Sequence, residues 1–152
     1  MEPIHDGNTK VVNQKGIVLV GGCFDLLHYG HIVFLQKAKA LGNYLVVALE
    51  SDENVKHMKG DARPIHTQAQ RREMIEALSV VDEVISLQPL RTDQEYEALV
   101  QKIHPVIIAI TMGDPHAEKK RAHAAKIGAD VVIINKVHTP STSQLAKLLG
   151  LE

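Results

Sequence analysis

Five short apolar runs, rich in β-branched residues, recur along the chain and alternate with segments whose apolar residues return at helical spacing. The runs are GIVLVGG (16–22), YLVVALES (44–51), DEVISL (82–87), PVIIAIT (105–111) and DVVIIN (130–135). Each is continuous rather than alternating in polarity, which predicts strands buried on both faces. Helices are predicted from Gly30 through Ile32, Leu35, Ala38 and Leu41 to a stop at Gly42, then over 68–80, 93–104, 117–127 and 141–149. The polar residues between the second strand and Gln68 read as a loop. Few arrangements satisfy such an alternation. A parallel sheet covered on both faces, joined by right-handed crossovers, gives a Rossmann-like doubly wound α/β fold with five strands in a single domain.

At 152 residues and 45% apolar composition, the chain can bury one core and is too short for two ordinary domains. Residues 1–15 are polar and aperiodic and read as a flexible N-terminal arm, leaving 16–152 as the domain. A formal net charge of −1 offers no general attraction to nucleic acid or to an anionic membrane surface. Trp is absent and aromatics make up 3% of the chain, too few for a platform that stacks single-stranded bases. The lone Cys23 forms no internal disulfide, and no apolar run has the length of a membrane span. The expectation is a soluble cytoplasmic protein that binds neither nucleic acid nor membrane.

Ligands of doubly wound folds sit at the carboxyl ends of the strands, so the residues just after each strand carry the information. After the first comes GGCFDLLHYGH (21–31). Gly21 and Gly22 allow tight backbone and close approach of a ligand, and the helix that follows presents free amides suited to an anion. Neither G-x-G-x-x-G nor G-x-x-x-x-G-K-[ST] occurs, so hydride transfer and P-loop hydrolysis lose support. What remains is H-x-G-H. His28 and His31 flank Gly30 where a strand turns into a helix, and two imidazoles there can donate to phosphate oxygens whose charge grows in a transition state. A helix cap is the plainer reading of either histidine. A metal site lacks a neighbouring Cys, Glu or third His to complete it, and none is expected.

GGCFDLLHYGH, together with PSTSQL (140–145), resembles the signature of the cytidylyltransferase-like nucleotidyltransferases, which carry H-x-G-H after the first strand and an S-T-[TS] box near the C-terminus. The segment 51–85 is similar to that family too, with a lysine-bearing loop, an arginine opening the next helix and a VDEVI strand. Such enzymes join a nucleoside triphosphate to the phosphate of a small metabolite and release pyrophosphate. The resemblance implies that His28, His31, Lys59 and Arg71 act on the triphosphate and its transition state. It implies nucleotide contacts from Gly22, Cys23, Phe24, Gly30, Gly113, Asp114, Ser141, Thr142 and Ser143, with no thiol chemistry at Cys23. Acceptor contacts fall to Lys56, Arg63 and Asp25, the last expected to organise the loop or approach the acceptor rather than to act as a base. A homodimer is implied as well, and a magnesium ion comes with the triphosphate rather than with any visible carboxylate cage.

The substrates stay open at this point. KGDARPI (59–65) with GGCFDLLH resembles heptose 1-phosphate adenylyltransferases, QRREMIEAL (70–78) archaeal-type FAD synthetases, and MGD (112–114) glycerol-3-phosphate cytidylyltransferases. Relatives that use CTP carry R-T-E-G-I-S-T, where this chain has NKVHTPSTS (135–143). The reading favours ATP over CTP and a sugar phosphate over glycerol phosphate, an alcohol phosphate or FMN. A nucleotide-sensing module without turnover, on the same fold, is the alternative of another class.

Overall fold

The computed structural model describes residues 16–89, 91–137 and 142–151. The expected N-terminal arm, Ser141 and the side chains of Thr142 and Ser143 lie outside the described residues. Five strands, β1 (Ile17–Gly22), β2 (Tyr44–Leu49), β3 (Glu83–Ser86), β4 (Ile107–Thr111) and β5 (Asp130–Ile134), form one parallel sheet in the order β3-β2-β1-β4-β5. The helices are α1 (Tyr29–Ala40), α2 (Asp52–Lys59), α3 (Gln68–Glu76), α4 (Asp93–Ile103), α5 (Ala117–Ile127) and α6 (Thr142–Leu148). The doubly wound five-stranded fold is therefore the one the apolar alternation predicts.

Successive strand residues feed two cores on opposite faces, as the twofold repeat of a strand requires. Val18, Val20, Leu45, Val47 and Leu49 join Leu35 and Ala38 of α1 and Ile75 of α3. Leu19, Val46, Ala48, Ile108 and Ile110 join Tyr96 and Val100 of α4 and Ala124 of α5. Since α1 and α5 cover opposite faces, the chain reverses its winding between β1 and β4. Register opens that boundary: β1 pairs with β4 only at Val18↔Ile107 and Leu19↔Ile108, yet β1 continues to Gly22 and β4 to Thr111. Beyond those pairs the carboxyl ends of β1 and β4 stay bound to β2 and β5 but part from each other, which leaves a crevice at the topological switch point.

Two expectations need correction. The stretch read as a lysine-bearing loop contains α2. Ser51 caps it, its hydroxyl accepting from Asn54 N–H at 3.1 Å, with Asp52 and Glu53 in the first turn and Lys56, His57 and Lys59 in the last. That charge order complements the helix dipole, but Val55 is the only buried residue, so no apolar stripe announces the helix. The helix predicted over 68–80 stops at Glu76. Beyond it, Leu78 N–H donates to Ile75 O and Val81 N–H to Leu78 O in tight turns, which let Leu78, Val80 and Val81 pack onto the core.

Candidate functional site

The crevice is floored by Gly21 and Gly22 of β1 and Ile110 and Thr111 of β4. Cys23, Phe24 and Asp25 line it from the β1–α1 loop, His31 and Phe34 from α1, Lys59 and Arg63 from α2 and the segment after it, and Asp114 and Lys120 from the far side. Of the residues singled out in the sequence, the fold thus brings together Gly22, Cys23, Phe24, Asp25, His31, Lys59, Arg63 and Asp114. Lys56 stays exposed on α2, and Gly113 forms an exposed left-handed turn at φ +81° ahead of Asp114.

The two histidines cap their own helix. His28 is the N-cap of α1 with extended backbone, and its Nδ1 accepts from Gly30 N–H at 3.0 Å. His31, in the N3 position, accepts at Nδ1 from His28 N–H at 3.1 Å, and the rings lie 4.0 Å apart between centroids. This is a capping box built from imidazoles instead of hydroxyl and carboxamide. A nitrogen that accepts from a backbone amide carries no proton, so both rings are Nε2–H tautomers, and of the two only His31 lines the crevice. Burial, then the neighbouring His28 and Lys59 charges, push the His31 pKa down to about 4. Burial lowers that of His28 as well. At neutral pH the pair is uncharged and donates hydrogen bonds rather than positive charge. The plain reading as a cap and the functional reading are the same geometry seen from either end of each ring.

The loop between β1 and α1 is held in strained backbone. Phe24 and Leu26 take φ of 49° and 53°, the left-handed region that costs about 1–3 kcal/mol per non-glycine residue and persists only where surroundings enforce it. Asp25, 1% exposed, supplies much of that enforcement. Its Oδ2 accepts from Arg63 Nε at 2.8 Å and Ile65 N–H at 2.7 Å, and its Oδ1 from His66 N–H at 3.1 Å. Burial alone would raise the Asp25 pKa, but these donors outweigh it and hold the carboxyl below its ordinary range. Asp25 and Arg63 therefore bind loop to loop, with Arg63 also lining the crevice.

Arg71 is not brought into the crevice. It is fully buried, donating from Nε to His66 O at 3.0 Å, from Nη1 to Cys23 O at 2.7 Å and from Nη2 to Asp52 Oδ1 at 2.8 Å. Each of the three guanidinium nitrogens donates one bond, joining the β1–α1 loop, the first turn of α2 and the segment ahead of α3. The Cys23 thiol is pushed up by burial and by Glu50, against opposing pulls from Lys59, Arg71 and Arg63, and stays protonated.

Sequence reading missed Lys120. Its Nζ lies 2.7 Å from Asp114 Oδ2, with the side chains 15% and 11% exposed. On α5 it is one of several surface-like lysines in AEKKRAHAAKI, and only the packing of that helix turns it inward. Nearby, Arg91 grips Glu50 through two hydrogen bonds of 2.8 Å and lies 4.9 Å over the Tyr96 ring. Among the described residues no group of three or more His, Cys, Asp or Glu could hold a metal ion, and no helix is long and apolar enough to cross a membrane.

The chain matches the cytidylyltransferase-like family over residues 19–143. It is 38% identical over 141 residues to the bifunctional protein HldE of Nitratiruptor sp., and 37% identical over 136 residues to that of Helicobacter hepaticus. These matches take up 91% and 90% of this chain but only 29% and 27% of those relatives, so the chain spans less than a third of their length. Among solved structures, the lipopolysaccharide core biosynthesis protein from Thermoplasma volcanium superposes with a TM-score of 0.64 at 28% identity, over 80% of this chain and 95% of that one. A pantoate-beta-alanine ligase from Francisella tularensis shares the fold at a TM-score of 0.59 and 15% identity, over 88% of this chain and 65% of its own. With the family matched across the strands, both histidines and the crevice between β1 and β4, the chain belongs to the cytidylyltransferase-like family.

Proposed function

We propose that this chain transfers the AMP moiety of ATP to the phosphate of a sugar phosphate, heptose 1-phosphate foremost, with release of pyrophosphate. The observation that carries the reading is the convergence of the Nε2–H donor of His31 with Lys59 and Arg63 over an open switch-point crevice. An oxygen of the acceptor phosphate forms the new P–O bond at the α-phosphorus as the bond to pyrophosphate breaks, and no protein nucleophile is needed. The protein contributes positioning and preorganised donors, which is where catalysis of phosphoryl transfer resides. His28 and His31 donate to the triphosphate, the amides at the start of α1 add their dipole, and Lys59 supplies mobile positive charge from the end of α2.

The acceptor assignment draws on the KGDARPI and GGCFDLLH segments and on the kinship with HldE and with a lipopolysaccharide core biosynthesis protein. The crevice chemistry agrees with a polyhydroxylated anion. Its two carboxylates, Asp25 and Asp114, are each engaged by a cation and by backbone amides, which leaves little to attract the ammonium of phosphocholine or phosphoethanolamine. The same engagement argues against a protein-held metal, so magnesium enters with the triphosphate. The MGD segment favours a second reading, CTP with glycerol 3-phosphate. A homodimer and a cytoplasmic setting complete the proposal.

Pyrophosphate release by purified protein with magnesium, and ATP or CTP in turn, tests it against heptose 1-phosphate, glycerol 3-phosphate, phosphocholine, phosphoethanolamine and FMN. Turnover of ATP with heptose 1-phosphate supports the reading, and CTP with glycerol 3-phosphate replaces it by the second. Nucleotide binding without turnover of any acceptor supports a sensor instead.

A further inference from the structure

Two helices start at the crevice, and each sends one donor into it from near its first turn. One is His31, the third residue of α1. The other is Lys120, the fourth residue of α5, to which the reaction above gives no part. α1 packs on one face of the sheet and α5 on the other, so the two donors reach the crevice from opposite faces. Lys120 is held in place by Asp114. The N–H of Asp114 donates to Thr111 O at 3.2 Å, its Oδ1 accepts from His116 N–H at 2.8 Å, and its Oδ2 accepts from Lys120 Nζ at 2.7 Å. Burial would raise the Asp114 pKa, but Lys120 and the His116 amide outweigh it and hold the carboxyl below its ordinary range. An ammonium has three N–H donors. Asp114 takes one of them, and the side chain, 15% exposed, lines the crevice.

The covalent order of a nucleoside triphosphate decides what the spare donors meet, because its α-phosphate joins the nucleoside to the pyrophosphate that leaves. Asp114, a carboxylate, repels phosphate oxygens and accepts from the hydroxyls and amino group of a nucleoside, which agrees with the nucleotide contacts given to Gly113 and Asp114. With the nucleoside there and the leaving pyrophosphate at the α1 end beside His31, the α-phosphate lies between them, next to Lys120. Among the described residues that line the crevice, Lys59 and Arg63 come from α2 and the segment after it, and Lys120 is the one cation on the β4 side. We propose that Lys120 is a catalytic residue that binds the nucleotide, donating to a non-bridging oxygen of the α-phosphate across the reacting phosphorus from His31. This rests on the nucleotidyl-transfer reading. As the acceptor oxygen bonds to the α-phosphorus and the pyrophosphate oxygen departs with its electron pair, charge develops on the non-bridging oxygens, where a preorganised ammonium stabilises it. No proton moves, and Lys120 stays charged. Its pairing with Asp114 compensates the ammonium before nucleotide binds.

The test is steady-state kinetics of pyrophosphate release with heptose 1-phosphate for the wild type, Lys120→Met and Lys120→Gln, using ATP and then each of the two α-phosphorothioate diastereomers of ATP at fixed magnesium. Removing the donor is expected to lower kcat with ATP by about 10²- to 10³-fold. The KM values for ATP and for the acceptor should change much less, which also certifies a folded crevice, and Lys120→Arg should recover part of the loss. Sulfur accepts hydrogen bonds poorly, so the wild type should prefer the diastereomer that keeps oxygen towards Lys120, and the variants should shrink that preference roughly 10-fold or more. Should the Met variant fail to fold, the Gln variant decides, since it keeps a donor for Asp114. A kcat within about threefold of the wild type, a loss confined to the KM of either substrate, or a diastereomer preference that the substitutions leave unchanged overturns the assignment of Lys120 alone. Wild-type protein that turns over no acceptor overturns the transfer reading and Lys120 with it.

Discussion

Arg71 Nη1 donates a 2.7 Å hydrogen bond to the carbonyl oxygen of Cys23, joining residues 48 apart in sequence at the point where the crevice loop leaves β1. With its bonds to His66 O and Asp52, this fully buried guanidinium fixes the backbone on which Asp25, His28 and α2 depend.

Replacing Arg71 by Ala strips two carbonyls and one carboxylate of a charged donor. It is expected to cost about 1.5–3 kcal/mol of stability, read as a lower urea midpoint. Lys, which keeps the charge but not the planar fork, should fall between. Resemblance gives Arg71 a contact with the triphosphate. Were that its main role, KM for ATP would rise with the urea midpoint unmoved.

His31→Ala should lower kcat by about 10²- to 10³-fold while ATP affinity falls much less, as for a donor that matters most in the transition state. Equal losses in the two would contradict that role. Nitrogen NMR of the wild-type protein should show Nδ1 unprotonated and Nε2 protonated in both His28 and His31, because each Nδ1 accepts from a backbone amide.

The acid side of the stability curve follows from the same ring. With a folded pKa of about 4 against an ordinary 6.5, His31 binds its proton more readily in the unfolded chain. Its contribution is fully present above pH 6.5 and is lost as pH falls towards 4. Thermal melts of the wild type and His31→Gln across that window should converge towards the acid end. Curves that stay parallel would show that the ring is not neutral and buried in solution.

Asp25→Ala removes the carboxylate from Arg63, whose side chain is 1% exposed. Truncating one member of a buried ion pair typically costs about 3–5 kcal/mol. Denaturant unfolding should show a loss of that order, and Asp25→Asn a smaller one because its amide oxygen still accepts from Ile65 and His66. A loss below about 0.5 kcal/mol would place the pair among ordinary surface ion pairs.

Gly22→Ala tests the close approach in the crevice floor. A Cβ at position 22 would stand 2.8 Å from Phe24 Cε2, and that ring is itself buried in the core. Overpacking of this kind costs about 1–3 kcal/mol, seen as a lower Tm. Adding Phe24→Leu should recover part of it, whereas an additive further loss would mean that the clash is not what Gly22 avoids.

Much of this protein was written locally. The five apolar runs set strand number and parallel pairing, and β1, β2 and β4 are buried on both faces as expected. By contrast β3 and β5, at the edges of the sheet, are only partly covered, with Ile133 exposed, because an edge strand has a neighbour on one side alone. H-x-G-H at the strand-to-helix junction marked the end of the sheet where the crevice opens, since capping and anion binding use the same free amides. Segment 52–59 escaped because its helix is made by Ser51 and charge order rather than by an apolar stripe. Arginine placement was decided only by the tertiary structure: Arg71, a phosphate ligand by type, lies under the loop as a staple, while Arg63 both pairs with Asp25 and faces the crevice. Lys120 entered the site for a like reason. A charged side chain on a helix carries no mark of which way it faces, and that is fixed when β4 parts from β1 and α5 packs on the face opposite α1.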